Sequence, residues 1–260
     1  MIIRNSNNKQ KENKMSNTNN EVVQAQKTAI WPRIFDAAMK LPMAKIDRQS
    51  FLRQEFSPYF SGKELDHAIA DPVGVVGVKQ LDKIADACIR NHLLCVTASS
   101  FAAGLPGGLL MSVTIPADVA QTWWHILCLA QKLAYVYGIP DFCDEHGNLT
   151  EVSRDLLTIY VGVMLGASAA NKAVGEASRR FAGQVVKRIP KMPLTKYTIY
   201  KIAKQLAGWI SVKLTKDSFA KSLAKAVPVV SGFICGAITF ATFRPAAKRL
   251  QKKLSMEMCR

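Results

Sequence analysis

The residues best placed to do chemistry lie between positions 88 and 137. Asp118, Gln121, His125, Cys128, Lys132 and Tyr135 recur at offsets of 0, 3, 7, 10, 14 and 17, a spacing that puts side chains on one stripe of an α-helix. Gln131 lies beside that stripe. A polar stripe on an otherwise apolar helix needs either water or partners. Read functionally, it would hold a ligand or a lipid headgroup, with Asp118 and His125 exchanging protons or binding a cation. Read structurally, it is a solvated face, with Asp118 favourable in the first turn against the helix dipole.

Cys88, His92 and Cys95 share a second helical face, and His125 with Cys128 repeats part of that spacing. Together they could bind zinc, but the short Cys-x-x-Cys hooks of structural zinc sites are missing. Buried free cysteines and a hydrogen-bonded histidine are the expectation instead, with no metal or cofactor. Nucleophilic catalysis has less behind it, because no GxSxG occurs and His67, His92, His125 and His146 lack a supporting motif. The glycines at 104, 107 and 108 are followed by no Lys-Ser or Lys-Thr, so they read as a turn and not as a phosphate loop. Trp123, Trp124, Tyr135 and Tyr137 would form either an interfacial aromatic belt or part of the core, and the area they bury favours the core.

These residues need helices to position them. Apolar residues recur at helical spacing from Ile30 onward, and a long helix is expected between Val75 and Ala103. Another is expected within 109–137, with Pro116 near a start and Gly138-Ile-Pro140 as its stop. Further helices begin at Glu151 and run over 195–222 and 226–254, with a break at Lys191-Met-Pro193. Gly162, Gly166 and Ala170 fall four apart, which predicts close helix contact. No alternating strand pattern is found. The expected fold is all-α, a multi-helix bundle of apolar, glycine-rich helices over 28–260, preceded by a polar, disordered leader over 1–27.

Charge is distributed unevenly. The 260 residues carry a net charge of +16. Residues 1–171 hold 16 basic and 16 acidic side chains, whereas residues 172–260 hold 19 basic and only 3 acidic ones, Glu176, Asp217 and Glu257. The excess therefore resides wholly in the C-terminal third, which points to an anionic partner. Lys213, Lys216, Lys221 and Lys225 precede the uncharged run 226–243, and Arg244, Lys248, Arg249, Lys252 and Lys253 follow it. As a helix that run is about 27 Å long, just short of a hydrocarbon core of roughly 30 Å. A buried core helix, membrane insertion and a conditional switch between the two all fit, and Gly232 with Gly236 would allow close packing in any of them. The six cysteines (Cys88, Cys95, Cys128, Cys143, Cys235, Cys259) are scattered, as in a reducing compartment. No apolar segment of signal-peptide type follows the N-terminal charges.

AGLPGG, TIPAD and AQKLAYVYG over 104–141, followed by a small-residue segment and PVVSGFICGAITF in a basic C-terminal region, resemble the bacterial EcsC family over residues 70–250. The resemblance implies an α-helical, membrane-associated bacterial protein without an established enzymatic activity, with a transporter or other membrane protein as a partner in trans. It marks Pro116, Asp118, Gln131, Tyr137 and Gly138 as signature positions and carries over no catalytic residue. The leading expectation is a non-enzymatic protein at the inner face of the membrane, binding anionic lipid through Lys213, Lys216, Lys221, Lys225, Arg244, Lys248, Arg249, Lys252 and Lys253. The alternatives are a membrane-perturbing effector or toxin-like module in bacterial defence, and a ligand or enzymatic site on the Asp118/His125 helix. Nucleic acid is disfavoured because the motifs of its common binding modules are missing.

Overall fold

In the computed structural model the described residues are 30–103, 117–187, 196–224 and 228–259, and the described side chains are those of 30–95, 119–182, 196–210 and 243–259. The polar leader, the turn at 104–108, Pro116, the break at Lys191–Pro193 and Lys225 lie outside the described residues. So do the side chains of Asp118, Lys213, Lys216 and Lys221, as well as the surroundings of Gly232 and Gly236.

The protein is all-α. Its described helices are α1 (30–39), α2 (Arg48–Phe56), α3 (Gly62–Ala70), α4 (Pro72–Val76), α5 (Val78–Ala103), α6 (Ala117–Val136), α7 (Glu151–Met164), α8 (Ser168–Lys187), α9 (Lys196–Ala224) and α10 (Pro228–Met258). Among the described residues the one β-type pairing is an isolated bridge between Cys143 and Leu149. No helix among them is long and apolar enough to cross a membrane.

Local sequence sets the boundaries. Asp47 caps α2 by accepting from the Ser50 N–H at 2.7 Å, and Thr150 caps α7 by accepting from the Ser153 N–H at 3.1 Å. Each side-chain oxygen satisfies a backbone donor that the first turn leaves free. Asp71 does the same for Gly74, and Pro72 occupies the first turn of α4, where its missing N–H costs nothing.

Helix α7 organises the bundle. Every residue from Leu156 to Met164 is buried, so the helix has no solvent face there, and α6, α8, α9 and α10 all pack against it. A helix buried on all sides must be apolar on all sides, and LLTIYVGVM is close to that. Its two polar groups are bonded inside the core. The Thr158 hydroxyl accepts from the Trp31 indole at 3.1 Å, and the Tyr160 and Ser178 hydroxyls meet at 2.9 Å.

Gly162 lets the neighbours close in. A Cβ placed there would stand 2.7 Å from the Ala170 Cβ and 2.8 Å from Ile202 Cγ2, so α8 and α9 both touch bare backbone at this point. Gly166 differs from the sequence expectation. It lies in the turn after α7 with φ +79°, where the Ala167 N–H reaches Gly162 O at 2.8 Å and its own N–H reaches Val163 O at 3.0 Å. That pair of hydrogen bonds is the Schellman termination, which requires a left-handed residue. The four-residue spacing of Gly162 and Gly166 therefore hides two roles, one of close approach and one of chain reversal.

Gly162→Ala should force α8 or α9 outward and cost about 1–3 kcal/mol by overpacking. Urea unfolding followed by far-UV circular dichroism would show this as a lowered midpoint.

Candidate functional site

The polar stripe of α6 is turned largely inward. Gln121 is exposed and Lys132 half-buried, but His125, Cys128, Gln131 and Tyr135 are all buried. What covers Cys128, Gln131 and Tyr135 is the irregular segment between α1 and α2. Such a segment has backbone groups that no helix satisfies, and they need partners once water is excluded. The Gln131 side-chain amide donates to Ala44 O at 2.8 Å, and its oxygen accepts from the Ile46 N–H at 3.2 Å. The Tyr135 hydroxyl bonds Ile46 O at 3.2 Å and Asp141 Oδ1 at 3.2 Å. Cys128 Sγ points at the carbonyls of Met43 and Ala44 at 3.6 and 3.8 Å. Lys132 lies over the Phe51 ring at 5.6 Å. The stripe thus clamps residues 43–46 to the core, and the solvated face expected from sequence is replaced by a covered one.

Farther along α6 the ring of His125 meets that of His92 from α5, with His125 Nδ1 3.3 Å from His92 Nε2. Phe243 of α10 stacks on His92 at 6.0 Å, and Trp124 lies edge-on to His125 at 4.5 Å. Among the described residues His125 Nε2 and Trp124 Nε1 are buried without a hydrogen-bond partner. Burial, His125 itself and the Lys132 charge hold His92 down to about 3. Burial and Lys132 hold His125 down to about 4. Both rings are therefore neutral near pH 7. Burial pushes the thiols of Cys88 and Cys128 up to about 12, so they stay protonated, while Cys95 is exposed. Among the described residues no group of three or more His, Cys, Asp or Glu side chains is placed to hold a metal ion.

The aromatic residues divide in the same way. Trp123 is buried edge-on between Trp31 and Trp209, and Tyr135 and Tyr137 are fully buried. Tyr137 donates to Asp82 at 2.5 Å. They belong to the core and form no belt.

The basic residues of α10 fall into two groups. Lys248 pairs with Asp86 of α5, and Gln251 donates to the same carboxylate at 2.6 Å. Burial alone would raise the Asp86 carboxyl, but the hydrogen bonds from Lys248 and Gln251 outweigh it and leave it lowered. Arg249 donates from Nη1 to Met164 O at 3.1 Å, supplying a cation and a donor at the C-terminus of α7. Lys253 pairs with Glu257 at 3.3 Å, and Glu257 also takes Arg179 at 2.9 Å. Arg244 and Lys252 are exposed and have no carboxylate partner among the described residues. Three of the five C-terminal cations expected to meet lipid thus already have protein partners.

A second cationic face went unmarked in the sequence. On the first turns of α9, Lys196, Tyr197, Tyr200, Lys201 and Lys204 are all exposed, and Tyr197 and Tyr200 are 63% and 47% accessible. Lys201 Nζ sits 4.3 Å from the Tyr197 ring centroid. The opposite face of the same turns, Ile202, Ala203, Leu206, Ala207 and Ile210, is buried. The usable signal was the pairing of tyrosine with lysine at helical spacing on the polar side of a basic amphipathic helix.

Comparison of the chain with family models, with curated proteins and with solved structures returns no significant match.

The histidine pair makes stability depend on acidity. In the unfolded chain both imidazoles titrate near 6.5, whereas in the fold they stay neutral until about 4 and about 3. Above pH 6.5 neither state is protonated, so the pair's contribution is complete. Below it the unfolded chain takes up protons that the fold refuses, and stability falls as pH drops from about 6.5 toward 4. The urea midpoint should decline over that window in the native chain and be much flatter in a His92→Leu/His125→Leu variant.

Proposed function

We propose that this chain is a non-enzymatic, EcsC-like helical protein that binds the anionic surface of a bacterial membrane from the cytoplasmic side through its C-terminal third. The observation that carries the reading is charge segregation, since residues 172–260 account for the entire +16 and the preceding 171 residues are electrically balanced. A surface of this kind attracts anionic lipid through additive, screened contributions of about 1 kcal/mol per exposed cation.

The free cations define where contact falls. Arg244 and Lys252 on α10 and Lys196, Lys201 and Lys204 on α9 are exposed and lack carboxylate partners among the described residues. Lys213, Lys216, Lys221 and Lys225 add to them from sequence. Lys248, Arg249 and Lys253 are already engaged by protein partners and contribute mainly to the field. The uncharged run 226–243, with Gly232 and Gly236, adjoins these cations in sequence and would either stay in the bundle or enter the interface. A membrane protein in trans, the partner that the family resemblance implies, would be met at the same surface.

Co-sedimentation with phosphatidylcholine vesicles, with and without 30% phosphatidylglycerol, tests the reading; the lipid fraction is about what gives a strongly anionic surface. Binding should require the anionic lipid and fall steeply as salt rises. Carbonate washing should release the bound protein if 226–243 stays in the bundle and retain it if that run inserts. Failure to sediment with any lipid would remove the proposal.

A further inference from the structure

Between Glu176 and Asp217 the chain contains ten basic residues and no acidic one. Arg179 and Arg180 in this stretch are tied to Glu257 and Glu176. The three lysines on the first turns of α9 have no such acid, and among the described residues none forms an ion pair. Two tyrosines share their face. Tyr200 lies between Lys196 and Lys204, one turn from each, and Tyr197 is one turn from Lys201.

The buried face of α9 limits how such a helix can be used. An interfacial helix normally lowers its apolar side into the bilayer, but here Ile202, Ala203, Leu206, Ala207 and Ile210 are already buried in the protein, with Ile202 in contact range of the α7 backbone at Gly162. Only the polar face is available, so contact must be made by side chains that are amphipathic in themselves. Tyrosine and lysine are the two that fit a headgroup layer. The tyrosine ring seats at the level of the headgroups with its hydroxyl toward water, and the lysine stem lies along apolar surface while its ammonium meets phosphate.

We propose that the exposed face formed by Lys196, Tyr197, Tyr200, Lys201 and Lys204 of α9 is a docking surface for the headgroup layer of an anionic phospholipid bilayer. This rests on the membrane reading above and adds the face, the orientation and a division of labour. The lysines supply affinity that salt screens. The tyrosines supply a smaller part that salt does not remove, because it comes from apolar area leaving water. Nucleic acid would also accept cations and aromatic rings. The uncharged run that follows α9 in the same cationic third favours a lipid surface over a polyphosphate, however, because a bilayer can use both.

The test uses the full chain and vesicles of phosphatidylcholine with phosphatidylglycerol, over a salt series, with duplex DNA as competitor. Lys196→Gln/Lys201→Gln/Lys204→Gln should weaken low-salt binding by about a hundredfold, at roughly fivefold per lysine. Tyr197→Ser/Tyr200→Ser should bind at low salt but lose the fraction that survives high salt. All five side chains are exposed, so unchanged urea midpoints would verify that the variants fold. Arg244→Gln/Lys252→Gln serves as the comparison. If the native chain binds vesicles and the α9 variants bind equally well, the docking face is wrong while the membrane reading stands. If the native chain binds no vesicles, both fall. If DNA displaces it from vesicles at equal phosphate, the surface belongs to nucleic acid and the proposal is overturned.

Discussion

Helix α7 has no solvent-facing side between Leu156 and Met164, and the arrangement of the surrounding helices follows from that. A segment buried all round can bring no charge with it and must be enclosed by partners. The enclosure depends on small residues where backbones meet, as at Gly162 against Ala170 and Ile202. It also depends on a clean ending. Gly166 reverses the chain, and Arg249, reaching from α10, donates to the carbonyl of Met164, the last residue of the helix. One cation of the basic third is thereby drawn into holding the core shut.

The same reasoning separates the charges of the C-terminal third. A bundle whose centre is apolar must place its cations outside. There, among the described residues, some are neutralised by a nearby carboxylate, Arg249 is held by a backbone carbonyl, and others have no such partner. Asp86 and Glu257 neutralise Lys248, Lys253 and Arg179, all near α10. These surface pairs contribute little to stability, but they determine which cations remain to act on a partner. Among the described residues the first turns of α9 have no such carboxylate, and Lys196, Lys201 and Lys204 form no ion pair.

Much of the architecture could be read from sequence because its signals are local. Glu151 at the start of α7 and Gly138 with Pro140 after α6 each mark a boundary through local backbone chemistry. The α6 stripe could not be resolved in the same way. Periodicity identifies a shared face, but what covers that face is settled by residues 43–46, more than eighty positions away. Gly166 was obscured by a spacing that suits packing and a turn equally well. The meeting of His92 with His125 is likewise a tertiary event, since each alone is an ordinary helical histidine. Tyr197 and Tyr200 stand at helical spacing among lysines, a pattern that net charge alone does not single out.

The central claim is that an electrically balanced body presents a cationic face to an anionic membrane. It is tested most directly by comparing the reactivity of each lysine toward an amine-acetylating reagent, free and vesicle-bound, by mass spectrometry. Lys40, Lys63 and Lys79 are exposed on the balanced body, and Lys196, Lys201, Lys204 and Lys252 are exposed on the basic third. The account predicts that the second group is shielded on anionic vesicles while the first reacts as it does in solution. Equal reactivity throughout, or shielding of Lys40, Lys63 and Lys79 instead, would contradict it.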